Sequence, residues 1–144
     1  MFKNILIATD GSELAEKGVR QGLGLAKETR AKVTVVRATP IPPVYVAEGI
    51  AMAPPPEVHE QLLAAVKKQF ADIKARADAA GVACETVHVD NELPWQAILE
   101  TADAKGADLI VMASHGRSGF SAAFLGSETQ KVLSQAKVPV LVCR

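Results

Sequence analysis

Aromatic residues make up only 4% of this 144-residue chain, while Ala, Val, Leu and Ile dominate the 49% that is hydrophobic. That balance excludes the composition of a β-sandwich and suits helices packed closely on a sheet. Net charge is also missing: 16 basic residues against 16 acidic ones leave no overall field to recruit nucleic acid or an anionic membrane. No apolar run approaches the ~20 residues of a membrane-spanning helix. Residues just after Met1 enter a strand-like run instead of a charged and then apolar leader, so a cytoplasmic location is expected. Cysteine is down to two, Cys84 and Cys143, in strand-like segments without metal-ligand spacing, and two reduced, packed thiols are expected. His59, His88 and His115 share no ligand spacing either, so no metal site is expected.

What is present is an alternation. Apolar runs of strand length fall at residues 5–8, 33–36, 82–89, 109–113 and 138–143, with segments of helical period between them. Ala15, Gly18, Val19, Gly22, Leu23 and Ala26 form a narrow stripe of small residues on the first helix, which predicts a close approach to the sheet. The second and longest helix, from about Pro56 to Gly81, places Leu63, Val66, Phe70, Ile73, Ala77 and Ala80 on one face, with Gly81 suited to its C-cap. A third starts at Pro94, buries Trp95, Ile98, Leu99 and Ala102, and stops near Gly106. The last starts at Ser127, where Ser-Glu-Thr-Gln matches a capping box, and ends before Pro139. Strands alternating with helices imply right-handed crossovers, hence one domain over 1–144: an α/β fold with a doubly wound, five-stranded parallel sheet and helices on both faces. Ligands then belong beyond the carboxyl ends of the strands, where the strand order reverses. The one irregular stretch, residues 39–56, holds six of the eight prolines and reads as a surface excursion, a flap or a partner contact.

One segment points to chemistry. Val111-Met112-Ala113-Ser114-His115-Gly116-Arg117-Ser118-Gly119 is an apolar strand running into a glycine turn, and Gly126-Ser127-Glu128-Thr129 then opens a helix. Two sets of backbone N–H groups converge on one place, which describes a split phosphate cradle that needs no Lys. The loop lacks the Gly-Lys-Ser/Thr ending of a P-loop. Ser114 and His115, adjacent at the end of a strand, are expected to point apart and so to make no nucleophile–base pair. Binding is therefore expected, with turnover at most slow.

The opening Ile5-Leu6-Ile7-Ala8-Thr9-Asp10-Gly11-Ser12, the segment from Gly106 to Met112, the glycine cradle and the closing Val138-Pro139-Val140-Leu141-Val142 together resemble the universal stress protein family over the whole chain. Its ATP-binding members carry Gly, two residues, Gly, nine residues, then Gly and Ser or Thr. Gly116 and Gly126-Ser127 match, whereas Ala113 stands at the first position. The resemblance implies a Rossmann-like sheet in strand order 3-2-1-4-5, ATP as ligand, with Mg²⁺ as a possible companion, and a nucleotide-dependent switch in a stress response. Carried over by position, Ala8, Thr9 and Asp10 border the ribose or adenine, and Ala38 offers backbone groups to the adenine edge. Met112 and Ala113 pack on the base or sugar. Gly116, Gly119, Gly126, Ser127, Glu128 and Thr129 face the phosphates, and His115 or Arg117 reaches the terminal one. Asp10 is the best-placed group to hold Mg²⁺ or orient water.

Plainer readings stand beside these. Asp-Gly-Ser-Glu from Asp10 also reads as a helix cap, as does Ser127. Glu128 suits the first turn of a helix but would repel a phosphate, so its side chain is expected to face away. Ala113 is the feature that would support the alternative, a nucleotide-independent interaction module. The final strand, with Pro139 near its start, has the character of a sheet edge, and the resemblance implies a homodimer paired through residues 138–143.

Overall fold

In the computed structural model, which describes residues 1–116 and 124–144, β1 (Asn4–Ala8), β2 (Lys32–Thr39), β5 (Cys84–Asp90), β6 (Leu109–Ala113) and β7 (Val140–Cys143) form one parallel sheet in the order β5-β2-β1-β6-β7. This is the expected 3-2-1-4-5 order. The helices are α1 (Glu13–Thr29), α2 (Pro56–Ala79), α3 (Pro94–Lys105) and α4 (Ser127–Gln135). Among the described residues no helix is long and apolar enough to cross a membrane.

The pleat sorts each strand onto two faces. Ile5, Ile7, Val33, Val35, Leu109 and Val111 meet Val19, Leu23 and Ala26 of α1 and Ile73 and Ala77 of α2. Leu6, Ala8, Val36, Ile110 and Met112 meet Ile98 and Ala102 of α3 and Val132 of α4. All six residues of the predicted α1 stripe are buried. At Gly22 a Cβ would lie 2.5 Å from Ile7 Cδ1 and 2.8 Å from Ile7 Cγ1, and at Gly18 it would lie 3.6 Å from Ala113 N. The missing side chain at Gly22 is what lets α1 settle against Ile7 of β1, while a Cβ at Gly18 would make only ordinary contact.

Two local readings change. On α2 only Val66, Ile73 and Ala77 are buried and Leu63 is exposed, because the first turns of this helix overhang the sheet. Residues 39–56 are not wholly irregular: Tyr45–Ala47 (β3) and Ile50–Met52 (β4) pair antiparallel around Glu48 and Gly49. Both turn residues have positive φ, 52° and 77°, the requirement of a two-residue hairpin turn, but Glu-Gly lacks the usual Asn-Gly or Asp-Gly signal. All six hairpin residues are exposed.

Cys84 and Cys143 are free thiols. They lie on β5 and β7, the two edges of the sheet, four strand spacings or about 19 Å apart, far beyond disulfide reach. Burial pushes both thiols up from their ordinary range.

Because a Cβ at residue 22 meets fully buried Ile7, Gly22→Val is expected to destabilise by about 1–3 kcal/mol. Gly24 sits in the same helix with nothing within 4 Å of its would-be Cβ, so Gly24→Ala is expected to stabilise by about 0.5–1 kcal/mol. Urea denaturation followed by circular dichroism reads both, and equal signs would refute the packing argument.

Candidate functional site

β1 and β6 are neighbours, yet their chains leave the sheet in opposite directions, which opens a crevice beyond their carboxyl ends. On the β1 side, Thr9 N donates to Val36 O at 3.0 Å and prolongs the strand pairing by one residue. Asp10 Oδ1 accepts from Ser12 N at 2.9 Å, closing an Asx turn, and Ser12 Oγ accepts from Ala15 N at 3.1 Å. Ser12 is thus the N-cap of α1, and Asp10 shapes the turn that presents it. The other carboxylate oxygen of Asp10 lies where a Cβ on Gly116 would collide with it. Glycine at 116 is what lets the β6 loop close on the β1 loop.

On the β6 side the backbone is tied down on both flanks. Ser114 N donates to Cys143 O at 2.8 Å, and Gly126 N donates to Ser114 O at 2.7 Å. Thr129 Oγ1 donates to Ala113 O at 2.9 Å. Gly126 is the N-cap of α4 in an extended conformation and carries no side-chain cap. The expected capping box therefore does not form: Ser127 is the first helical residue, and Gln130 Nε2 instead donates to Leu125 O at 2.7 Å. The Gly126 N–H and the Thr129 hydroxyl, both expected to serve a phosphate, are spent inside the fold. The main-chain N–H groups of Ser127, Glu128 and Thr129 remain as the donors of the first turn. The Glu128 carboxylate faces away, as expected, with Oε2 accepting from Trp95 N at 2.8 Å.

Ser114 and His115 do not diverge. Ser114 Oγ lies 3.0 Å from His115 Nδ1, because β6 ends at Ala113 and the alternation of strand side chains ends with it. Ser114 is nonetheless buried and outside the cavity wall, so its hydroxyl orients the His115 ring and meets no ligand itself.

Between the two loops lies a cavity of about 650 Å³. Ala8, Thr9, Asp10, Ala38, Met112 and Ala113 line it, and so do His115, Gly116, Gly126, Ser127, Glu128 and Thr129. Arg117 and Gly119 fall outside the described residues. Ala113 has no positive φ, a conformation that among the described non-glycine residues belongs to Arg30 and Glu48. Its methyl group therefore costs the backbone nothing. The remaining wall comes from Ala15, Val36, Pro94, Ile98, Phe124 and Leu125. Sequence reasoning missed these because Val36 and Ile98 look like any core residue. No residue of the β3–β4 hairpin reaches the wall.

A second omission lies behind the β1 loop. Arg37 is only 4% exposed, and its guanidinium donates to Gln69 Oε1 at 2.6 Å. Gln69 Nε2 donates in turn to Thr9 Oγ1 at 3.0 Å. This polar chain runs from β2 through α2 to the turn that carries Asp10. Its signal was a lone Arg inside the apolar run Val33 to Ala38.

A sequence model described as the universal stress protein family matches residues 1–144. The chain is 32% identical over 149 residues to universal stress protein YxiE of Bacillus subtilis, both chains being covered in full. The solved structure of hypothetical protein MJ0577 superposes with a TM-score of 0.80 at 25% identity, over 99% of this chain and 96% of that one. A universal stress protein in complex with cAMP superposes with a TM-score of 0.71 at 24% identity, over 99% and 97% of the two chains.

Thr129 is almost fully buried and its hydroxyl joins α4 to the end of β6. Thr129→Val keeps the shape but strands the Ala113 carbonyl, and is expected to lower stability by about 1–3 kcal/mol. A urea midpoint equal to that of the parent would show that the bond holds nothing.

Proposed function

The chain belongs to the universal stress protein family, and from that premise we propose that it is a cytoplasmic adenine-nucleotide-binding protein, taking ATP with Mg²⁺ and acting as a nucleotide-dependent switch in a stress response. The observation that carries this reading is the first turn of α4, without a side-chain cap and open to a cavity whose opposite side is apolar. A volume of about 650 Å³ lies within the usual range for small-molecule sites, ~300–1,000 Å³. The cAMP complex of a structural neighbour supports an adenine ligand for this chain.

Val36, Ile98 and Met112 form the wall for the base, with the Ala38 backbone at its edge. Asp10, held by Ser12 N, meets a ribose hydroxyl or the cation. The N–H groups of Ser127, Glu128 and Thr129 bind phosphate oxygens, helped by the helix dipole. His115, oriented by Ser114, reaches the outer phosphate, as Arg117 would by position. Mg²⁺, when bound, supplies positive charge against the phosphates. Among the described lining residues the Asp10 and Glu128 carboxylates are held by Ser12 N and Trp95 N, and the switch reading is preferred to that of a slow ATPase. A switch needs a partner that discriminates the two states, since a ligand shifts an equilibrium only by its differential affinity.

Calorimetric titration with ATP and Mg²⁺ tests the site. Micromolar affinity, ~8 kcal/mol, is expected for the parent and loss of binding for Gly116→Val/Gly126→Val. The first change drives a side chain into Asp10 and the second puts one 3.0 Å from His115 Cα. No binding by a well-folded parent would leave the nucleotide-independent interaction module as the reading.

The homodimer proposed for this chain pairs β7, an edge strand, with its copy. Val140 packs inward on the cluster around Val36 and Ile98, whereas Leu141 is 38% exposed. Leu141→Lys is expected to reduce the mass seen by light scattering to that of one chain, 15.2 kDa. An unchanged dimer would place the interface elsewhere.

A further inference from the structure

The N-terminus of α3 lacks a cap of its own. Leu93 at the N-cap makes no side-chain bond to it, and Pro94 at the first position has no N–H. Gln96 N and Ala97 N both donate to Leu93 O, at 3.0 and 3.2 Å. Trp95 N turns to another helix and donates to Glu128 Oε2 at 2.8 Å. The second oxygen of Glu128 lies 3.8 Å from Lys131 Nζ on the same helix. A carboxylate at this point also meets the positive end of the α3 dipole.

The bond joins two elements that wall the cavity. Pro94 and Ile98 of α3 stand in its apolar wall, while Ser127, Glu128 and Thr129 of α4 stand at its polar end. α4 is already pinned to the sheet through Thr129 Oγ1 to Ala113 O and Gly126 N to Ser114 O. We infer that Glu128 is a positioning residue: by capping α3 through the Trp95 N–H, it holds the base-facing wall of the cavity at a set distance from the phosphate-facing turn of α4. This role rests on the nucleotide reading of the site. It also accounts for an acidic residue in a phosphate-facing turn, since the charge is directed into the end of α3 and not at the ligand.

The 144-residue chain is titrated with adenosine and, separately, with ADP, by calorimetry and by the emission of Trp95, its single tryptophan. Glu128→Ala is expected to bind adenosine about five-fold more weakly, the size of a lost helix cap. Its ratio of ADP to adenosine affinity is expected not to fall, because the phosphate-facing N–H groups are untouched. Trp95 emission of the free variant is expected to shift. Glu128→Gln keeps an oxygen acceptor and is expected to restore adenosine binding to within about two-fold. Circular dichroism checks both variants for folding. Should the alanine variant not fold, Glu128→Asp, charged but one methylene shorter, replaces it under the same expectations. Parental adenosine affinity in the alanine or aspartate variant overturns the positioning role, as does a glutamine variant no better than alanine. A fall in the ADP-to-adenosine ratio overturns it too, by moving Glu128 to the phosphates. A parent that binds neither ligand sinks the nucleotide reading itself, which is distinct from a parent that binds and a variant that matches it.

Discussion

The contact on which the rest depends is the one between α1 and the strand pair β1 and β6. Gly22 lies so near Ile7 that a side chain there would collide with it, and Gly18 faces the backbone of Met112 and Ala113 at ordinary contact distance, so the helix rests close on the sheet. In a parallel sheet the crossover helix fixes where the loop that precedes it can go. α1 close to the sheet holds the Thr9-Asp10-Gly11-Ser12 turn over the end of β1, within reach of the loop after β6. A wider gap between α1 and the sheet would have separated Asp10 from Gly116 and widened the crevice.

The site is then built by subtraction. Every helix N-terminus begins with unpaired N–H groups, and side chains or carbonyls near the crevice take some of them. Ser12 serves α1, Glu128 serves α3, and the Ser114 carbonyl takes the Gly126 N–H. The first turn of α4 stands apart among the described helices around the cavity in lacking any such side-chain partner. Free donors at the positive end of a dipole have a strong preference for an anion, and the polar residues around them are occupied by one another. Which donors stay open at the crevice thus depends on what the protein has already bonded internally.

The β3–β4 hairpin belongs to a different economy. Tyr45, Val46, Ile50 and Met52 are exposed, and a two-stranded hairpin is marginal alone in water. Its prolines at 40, 42, 43, 54, 55 and 56 stiffen both ends of the excursion, lowering the entropy lost on ordering it.

Much of the chain was legible before folding. Period-two and period-3.6 patterning is local and survives in one dimension, so the five long strands, the four helices and the α1 stripe followed from spacing. Strand order needed the family resemblance, because pairing partners are not encoded locally. Three kinds of fact belonged to the tertiary structure alone. The apolar wall was invisible because Val36 and Ile98 are ordinary core residues until a crevice opens beside them. The cap read at Ser12 formed, but the capping box at Ser127 did not and the cap of α3 was invisible because the bond from Trp95 to Glu128 joins groups 33 positions apart, and the divergence expected of Ser114 and His115 failed where the strand ended. The sequence by itself determined which residues could form elements and offer donors; only the packed structure decided which donors were consumed and which stayed open to the crevice, since that depends on acceptors brought close by folding.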